Sequence, residues 1–129
     1  MKQIRVTQGI EVSVHPVYQP QYSNPQKDKY VFAYFVTIKN KAQVTVQLLR
    51  RHWYIYDAGN RLREVEGPGV IGQTPVLRPG EQFKYNSWTD MPTSIGKMYG
   101  YYSLQKITDG TMIEAEIPAF SLIAPFVYN

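Results

Sequence analysis

The sequence predicts an all-β domain, and three observations support this prediction. The chain contains 11 tyrosines and 5 phenylalanines, residue types that pack well on the half-buried surface of a sheet. Apolar and polar residues alternate with a period of two, and no segment shows a sustained helical repeat with caps. Turn residues recur about every 8–12 residues, a spacing typical of antiparallel sandwiches and barrels.

The first predicted strands lie in the N-terminal third of the chain. Ile10–Tyr18 alternates, and its apolar positions Ile10, Val12 and Val14 share one face. Gln19–Lys29 contains two prolines and many polar residues, so it is predicted to be a loop. Tyr30–Asn40 is the clearest strand, since one of its faces is apolar throughout and is the better candidate for the core. That face comprises Tyr30, Phe32, Tyr34, Val36 and Ile38.

Val44–Asp57 is long for a single strand, because strands most often have about 5 or 6 residues. We therefore expect a bend or a bulge near Leu48–Arg51. Beyond the bend, one face of the strand carries Leu49, Arg51, Trp53 and Ile55. Asp57–Asn60 has the composition of a turn, after which Leu62–Glu66 is predicted to return as the second arm of a hairpin.

The second half of the chain contains a glycine-rich loop, Gly67–Gly72, and a tight turn, Arg78–Glu81. The strands predicted there are Glu81–Trp88, Met98–Lys106, Thr111–Phe120 and a last extended segment, Ser121–Asn129. In Thr111–Phe120 the predicted inner face comprises Ile113, Ala115, Ile117 and Ala119. Pro118 and Pro125 are expected on an edge strand or at strand ends, because proline cannot donate to a central ladder.

Seven or more short strands of this kind predict an antiparallel β-sandwich of immunoglobulin or fibronectin type III-like architecture. A closed barrel is the alternative. The 129 residues contain no internal repeat, low-complexity tract or linker. Residues 1–129 are therefore predicted to form a single domain.

Composition excludes several classes of function. The absence of cysteine excludes disulfides, thiolate metal sites and a cysteine nucleophile. The N-terminus has no apolar signal region and no apolar run approaches the roughly 20 residues needed to cross a bilayer. We therefore expect a soluble cytoplasmic protein without membrane insertion. The net charge of +4 is spread along the chain, so nucleic-acid binding is not expected.

The glycine-rich loop matches the string G-x-G-x-x-G, which in dinucleotide-binding folds opens a helix. Pro75 follows too closely for a helix to begin here, so that interpretation fails. Two interpretations remain. The glycines can simply supply positive φ angles for a tight connection. Alternatively, backbone N–H groups at Gly67, Gly69 and Gly72 can form an anion-binding nest. An arginine would then add charged hydrogen bonds to the anion. The arginines considered are Arg51, Arg61, Arg63 and Arg78, and Arg51 is the candidate chosen.

Signals for catalysis and metal binding are weak. No serine lies in a nucleophile elbow, and the two histidines, His15 and His52, stand apart from other candidate catalytic groups. No metal-ligand spacing is present. The glutamate pairs at 64/66 and 114/116 each lie on one strand face, which is typical of a solvated surface, with a divalent-cation site as the alternative. We predict no catalytic residue, no metal and no cofactor.

Several tyrosines occupy outward-facing strand positions. Tyr54 and Tyr56 on one strand, and Tyr99 and Tyr101 on another, are candidates for stacking with nucleic-acid bases. The simpler interpretation is that these rings pair across strands and stabilise the sheet.

Motifs distributed over nearly the whole chain resemble those of the ApaG (CorD) family. They occur in the family's order and with family-like spacing. The matching segments are Tyr30–Tyr34, Thr37–Asn40, Val46–Leu49 with Arg51 and Trp53, Glu64–Gly72, Pro75–Glu81, Tyr85–Ser87, Gly96–Tyr102 and Ile117–Leu122. Two departures from the family pattern, Trp88 and Ser94, fall in the predicted Ser87–Gly96 loop.

The resemblance implies an immunoglobulin/fibronectin-type sandwich with no established catalytic activity. It further implies a non-enzymatic domain that binds a protein partner, or a phosphate-, pyrophosphate- or nucleotide-bearing ligand at the glycine loop. The alternative that the resemblance implies is a factor in divalent-cation homeostasis, linked to cobalt resistance and magnesium efflux, which acts by ion binding or on a transporter.

Overall fold

The structure, a computed structural model, describes residues 1–125 and confirms the all-β prediction. The strands of this part of the chain are β1 Gln3–Thr7, β2 Ile10–Tyr18, β3 Tyr30–Asn40, β4 Val46–Asp57, β5 Leu62–Pro68, β6 Val76–Leu77, β7 Gln82–Met91, β8 Ile95–Lys106 and β9 Met112–Ile123. Two short 3₁₀ turns, Pro20–Tyr22 and Pro25–Lys27, occupy the predicted loop between β2 and β3. Strands β2 and β3 begin and end at the residues predicted from the sequence.

The strands form two antiparallel sheets that pack face to face. The first sheet has the order β1-β2-β3-β7, and the second has the order β5-β4-β8-β9, with β6 paired to β4. The protein is therefore a sandwich, and the closed-barrel alternative is not adopted. The predicted apolar face of β3 is confirmed as a core face, since Phe32, Val36 and Ile38 are at most 2% exposed.

A bulge in β4 determines which residues enter the core. The pairing of β4 with β8 shifts register between Leu48 and Arg50, at the predicted position. Without the extra residue, the alternation that buries Leu48 would point Arg50 inward and Arg51 outward. With it, Arg51 lies opposite the buried Tyr102 and is on the inner face, two residues before Trp53. A charged side chain is thus directed between the sheets.

A second bulge corrects the prediction for β9. The pairing of β8 with β9 shifts register between Met98 and Gly100. The inner face changes phase there, so Phe120 is buried and Ala119 is exposed. The prediction that Ala119 faces the core with Ile117 was therefore wrong. A bulge depends on the partner strand, and alternation within one segment does not reveal it.

Other boundaries also differ from prediction. Strand β1 and the two-residue strand β6 were not predicted from the sequence. The expected position of Pro118 is confirmed, since β9 is an edge strand. The predicted Ser87–Gly96 loop was too long, because β7 continues to Met91 and β8 begins at Ile95. Trp88 therefore lies on a strand. The last part of the predicted segment Ser121–Asn129, residues 126–129, lies outside the described residues.

Candidate ligand-binding cleft and glycine loop

The two long sides of the sandwich differ. On one side, β9 lies against β1, where the backbone N–H of Glu116 donates to Thr7 Oγ1 at 3.2 Å. On the other side, the edges of β5 and β7 leave a cleft of about 250 Å³ between the sheets. The polar residues in its lining are Tyr34, Arg51, Arg63, Ser87, Thr89 and Asp90.

Arg51 lies between this cleft and the glycine loop. Its Nη1 donates to the carbonyl oxygens of Pro68 and Gly69, at 2.9 and 3.0 Å. The guanidinium lies against Gly67, where an added Cβ would come within 3.2 Å of both Nη atoms. A side chain at this position would displace the arginine. Of the four residues predicted as one site, Arg51, Gly67 and Gly69 are thus neighbours, whereas Gly72 lies in the turn of the loop.

The positive charge of Arg51 is only partly compensated by its neighbours in the protein. The side chain is partly buried, and it takes part in none of the salt bridges formed by residues 1–125. Removing a charge from water is unfavourable unless another charge or hydrogen bonds compensate it. The two carbonyl contacts supply part of this compensation, and they leave the other guanidinium N–H groups for a further partner.

Arg63 connects the two sheets at the same cleft. Its Nη2 donates to Thr89 Oγ1 at 2.8 Å and to the carbonyl oxygen of Asp90 at 2.9 Å. Its Nη1 lies 3.9 Å from Asp90 Oδ1. The other two arginines considered from sequence point elsewhere, since Arg61 pairs with Asp57 and Arg78 with Glu81. The roles of Ser87 and Thr89 were missed, because no local pattern marks them.

The glycine loop forms a tight hairpin. Val70 and Gln73 exchange two backbone hydrogen bonds of 2.9 and 2.8 Å, and the N–H of Gly69 donates to Leu49 O at 2.7 Å. The central residues, Ile71 and Gly72, have φ of 43° and 75°, as in the type I′ turns that suit the twist of a hairpin. Three loop amides are therefore engaged within the protein, which favours the structural interpretation of the glycine string over an extended anion nest.

We expect the substitution Ile71→Asn to stabilise the protein by about 1 kcal/mol. A β-branched residue is disfavoured at positive φ, whereas asparagine tolerates this conformation. Ile71 is 54% exposed, so its replacement removes little burial. The free energy of unfolding in urea measures the effect, and Val76→Asn, at an exposed strand position, is the control. Equal destabilisation by both variants would contradict the turn geometry.

Three buried tyrosines lie behind Arg51. The hydroxyls of Tyr85 and Tyr102 form a hydrogen bond in the core. Burial raises the pKa of Tyr102 and of Tyr85, and it also raises the pKa of Tyr34. The charge of Arg51 opposes each of these pKa increases.

These tyrosines predict a loss of stability at alkaline pH. An unfolded tyrosine ionises near pH 10, whereas the raised pKa keeps Tyr34, Tyr85 and Tyr102 protonated in the folded state. Their contribution is complete below about pH 10 and decreases above it, by up to about 1.4 kcal/mol per pH unit for each group. Urea unfolding between pH 8 and pH 11 measures this slope.

The double variant Tyr85→Phe/Tyr102→Phe is the control for that measurement. It removes the hydrogen bond between Tyr85 and Tyr102, and it also removes the Tyr85 hydroxyl that accepts from Trp53, so its stability near neutral pH should fall by about 1–3 kcal/mol. Its alkaline slope should be clearly smaller than that of the unmodified protein. Identical slopes would show that the buried hydroxyls do not cause the pH dependence.

The outer face of the second sheet holds His52 and the four tyrosines considered from sequence. His52 stacks between Tyr54 and Tyr101, with ring centroids 4.7 and 5.0 Å away. Cross-strand pairing of the tyrosines is confirmed, since Tyr54 and Tyr99 also stack at 5.0 Å. Within residues 1–125, no group of three or more His, Asp or Glu side chains is placed to hold a metal ion.

The two packed antiparallel sheets and the cleft at their open side define a β-sandwich domain of the immunoglobulin/fibronectin type. Residues 20–106 match the model of the ApaG domain. Protein ApaG of Paramagnetospirillum magneticum is 50% identical over 94% of this chain and 92% of its own length. Protein ApaG of Dechloromonas aromatica is 48% identical over 90% of this chain and 91% of its own length. The chain belongs to the ApaG family.

A crystal structure supports the same conclusion. A protein of Bordetella pertussis described as an ApaA protein superposes with a TM-score of 0.87 at 43% identity, covering 92% of this chain and 95% of the other. Separately, no helix among residues 1–125 has both the length and the hydrophobicity to cross a membrane.

Proposed function

We propose that this ApaG domain is a non-catalytic binding domain that holds a phosphate-bearing ligand in the cleft between β5 and β7. The observation that supports the proposal is the inward-facing Arg51, a partly buried cation with no carboxylate partner among residues 1–125. A phosphate group would supply the missing negative charge and accept charged hydrogen bonds.

The neighbours of Arg51 suit such a ligand. Arg63 lines the same cleft and adds a second guanidinium, which offsets the charge of Asp90 there, and Ser87 and Thr89 add hydroxyl groups. The proposed contact surface is thus formed by side chains, with Gly67 providing room for Arg51. Gly69 and Gly72 contribute by shaping the hairpin. This differs from an anion nest, in which the backbone amides would bind the phosphate.

The test is a titration with inorganic pyrophosphate, followed by calorimetry and by NMR of backbone amides and arginine Nε–H groups. We expect millimolar or tighter binding, with shifts at Arg51, Arg63, Ser87 and Thr89. A second titration, with diadenosine tetraphosphate, shows whether the cleft prefers a nucleotide to a simple phosphate compound. The absence of shifts in the cleft at millimolar pyrophosphate would contradict the proposal, as would shifts confined to the amides of Ile71 and Gly72.

Two adjacent arginines provide a matched control. Arg51→Gln should weaken pyrophosphate binding about tenfold or more, since hydrogen bonds to charged groups contribute about 1.5–3 kcal/mol. Arg50→Gln removes the same charge from the outer face, where Arg50 pairs with Glu66, and should have little effect. Arg51→Lys keeps the charge and should fall between them. Equal weakening by Arg50→Gln and Arg51→Gln would indicate only bulk electrostatics.

The alternative proposal is a role in cobalt and magnesium homeostasis, through ion binding or through a transporter. No arrangement of side chains within residues 1–125 specifically favours it. Calorimetry with magnesium and cobalt salts, run beside the pyrophosphate titration, tests direct ion binding.

A further inference from the structure

The outer face of the first sheet carries two large aromatic side chains that are open to solvent. Phe35 on β3 and Trp88 on β7 are each 47% exposed. In the register of these strands, Phe35 lies opposite Asn86 and Trp88 lies opposite Ala33. The two rings are therefore diagonal neighbours on adjacent strands, within reach of the same ligand. Adjacent exposed aromatic rings of this kind commonly mark an interaction site.

A shallow depression of about 600 Å³ adjoins Trp88 at one end of this face. Tyr22, from the first 3₁₀ turn, packs edge-on against the indole, with ring centroids 5.0 Å apart and an interplanar angle of 84°. Lys29 lines the same depression. Because Tyr22 touches only one side of the indole, Trp88 is held in position while nearly half of the residue stays accessible.

The carboxylates on or beside this face are each accompanied by a basic group of the protein. Glu11 on β2 pairs with Lys41 at 3.3 Å. Asp90 on β7 lies 3.9 Å from Arg63 and is held at the edge of the cleft. Asp28, in the turn before β3, has a lysine on both sides in the sequence. These three negative charges are therefore already offset within the protein.

Lysines supply the remaining charge of this face. Lys39 on β3 and Lys84 on β7 are neighbours, since their positions are offset by two residues in the register of the strands. Lys29 lies at the other end of the face, beside Trp88. These three lysines take part in none of the salt bridges formed by residues 1–125. The face thus combines exposed rings with an excess of positive charge.

We propose that the outer face of the first sheet binds single-stranded nucleic acid. Bases would stack on Phe35 and Trp88, and phosphates would contact Lys29, Lys39 and Lys84, because proteins that bind single strands combine aromatic stacking with positive charge along the backbone. The composition did not indicate this surface, since the three lysines are distant in sequence and are brought to one face by strand pairing. The proposal does not depend on a ligand in the cleft between the sheets.

Other occupants suit this face less well. A second copy of the chain in a two-fold symmetric contact would bring together two faces with the same excess of positive charge. A membrane would have to remove water from His15 and Asn86, which lie on either side of Phe35 in the register. With a nucleic acid, these polar groups can form hydrogen bonds with base edges. An acidic peptide would match the charge and would leave the rings without flat partners.

The test uses an oligothymidylate of about eight nucleotides as the probe, within the site sizes of single-strand binders. Calorimetry measures the affinity, and NMR of backbone amides and indole N–H groups locates the site. We expect saturable binding with shifts at Phe35, Asn86 and Trp88, while the indole of the buried Trp53 is unaffected. The logarithm of the affinity should fall with the logarithm of the salt concentration with a slope of about −2, as three phosphate contacts predict. Absence of saturable binding, or shifts confined to other surfaces, would overturn the proposal.

A glutamate-rich peptide with the net charge of the oligonucleotide and vesicles of anionic phospholipid are the comparisons. Both should bind more weakly than the oligonucleotide, because neither offers flat rings for the two aromatic side chains. Equal or tighter binding of either one at Phe35 and Trp88 would overturn the proposal in favour of an acidic protein segment or a membrane surface.

Two exposed lysines on opposite sheets separate a specific contact from bulk charge. Lys84→Gln should weaken oligonucleotide binding about fivefold and make the salt slope shallower by about 0.7. Lys97→Gln makes the same charge change on β8 in the second sheet and should have little effect. Equal weakening by both variants would indicate only bulk electrostatics and would overturn the proposal.

Aromatic variants test the stacking. Trp88→Leu keeps an apolar side chain and removes the ring, and it should weaken binding about tenfold. Tyr56→Leu, on β4 in the second sheet, and Arg51→Gln, in the cleft, should have little effect. Amide spectra of the free variants verify that they fold. Unchanged binding by Trp88→Leu, or equal weakening by Arg51→Gln, would overturn the proposal.

Discussion

Trp53→Ala is expected to lower the free energy of unfolding by about 3–5 kcal/mol, the range for truncating a large aromatic side chain in a core. Trp53 is 2% exposed and lies at the centre of the sandwich. Its ring centroid is 5.1 Å from that of Tyr34, 6.2 Å from Tyr102 and 6.0 Å from Phe120. The substitution therefore leaves a cavity between the sheets and removes three aromatic contacts.

Urea unfolding monitored by circular dichroism measures this effect. Trp53→Phe retains an aromatic ring in the same position, and we expect it to lose less than half as much stability. A loss below about 1.5 kcal/mol for Trp53→Ala would mean that the core can collapse around the missing side chain.

Gly100→Ala is expected to destabilise the protein by about 3 kcal/mol, at the upper end of the range for overpacking. A Cβ at this position would overlap the carbonyl oxygen of His52 and come within 3.1 Å of the Cα of Trp53. Both contacts are with the backbone of β4, so no side chain can move aside. The substitution forces the two central strands of the second sheet apart.

Gly59→Ala is the matched control for this prediction. Gly59 lies in the exposed turn after β4, and the nearest atom to an added Cβ is a side-chain oxygen of Asp57, at 3.1 Å, rather than a backbone atom. We expect a change below about 1 kcal/mol. Similar stabilities of the two variants would contradict the close approach of β4 and β8 at Gly100.

The strands predicted most accurately are those whose pattern is complete within a short segment. Ile10–Tyr18 and Tyr30–Asn40 match β2 and β3 in both bounds. The excessive length of Val44–Asp57 correctly indicated the bulge in β4. The motifs that resemble the ApaG family identified it correctly, because they consist of residue types at fixed spacing.

Only part of the candidate site could be predicted from the sequence. Arg51, Gly67, Gly69 and Gly72 were named together. The first three do lie together, because β4 and β5 form a hairpin in which Arg51 lies opposite Gly67, whereas Gly72 lies apart in the turn. Ser87 and Thr89 lie on β7, more than thirty residues after Arg51 and in the other sheet. Their position beside Arg63 depends on packing between sheets, which no local pattern reports.

The inner face of β9 also could not be predicted from one segment alone. Alternation placed Ala119 inward, and the bulge opposite Met98 and Gly100 reversed the phase. The glycine string likewise left two interpretations open, a tight connection and an anion nest. The hydrogen bonds that make the connection tight, between Val70 and Gln73, are visible only in the structure.

From sequence alone, the all-β class, the main strands and the ApaG family were determined, because each depends on the order of side chains along one segment or on the spacing of motifs. Tertiary structure decided where the bulges reverse a strand face, that Arg51 and Arg63 share one cleft, and that His52 and the tyrosines of β4 and β8 stack across strands. These features arise from contacts between strands distant in sequence, and the side-chain alternation of each strand is compatible with many such pairings.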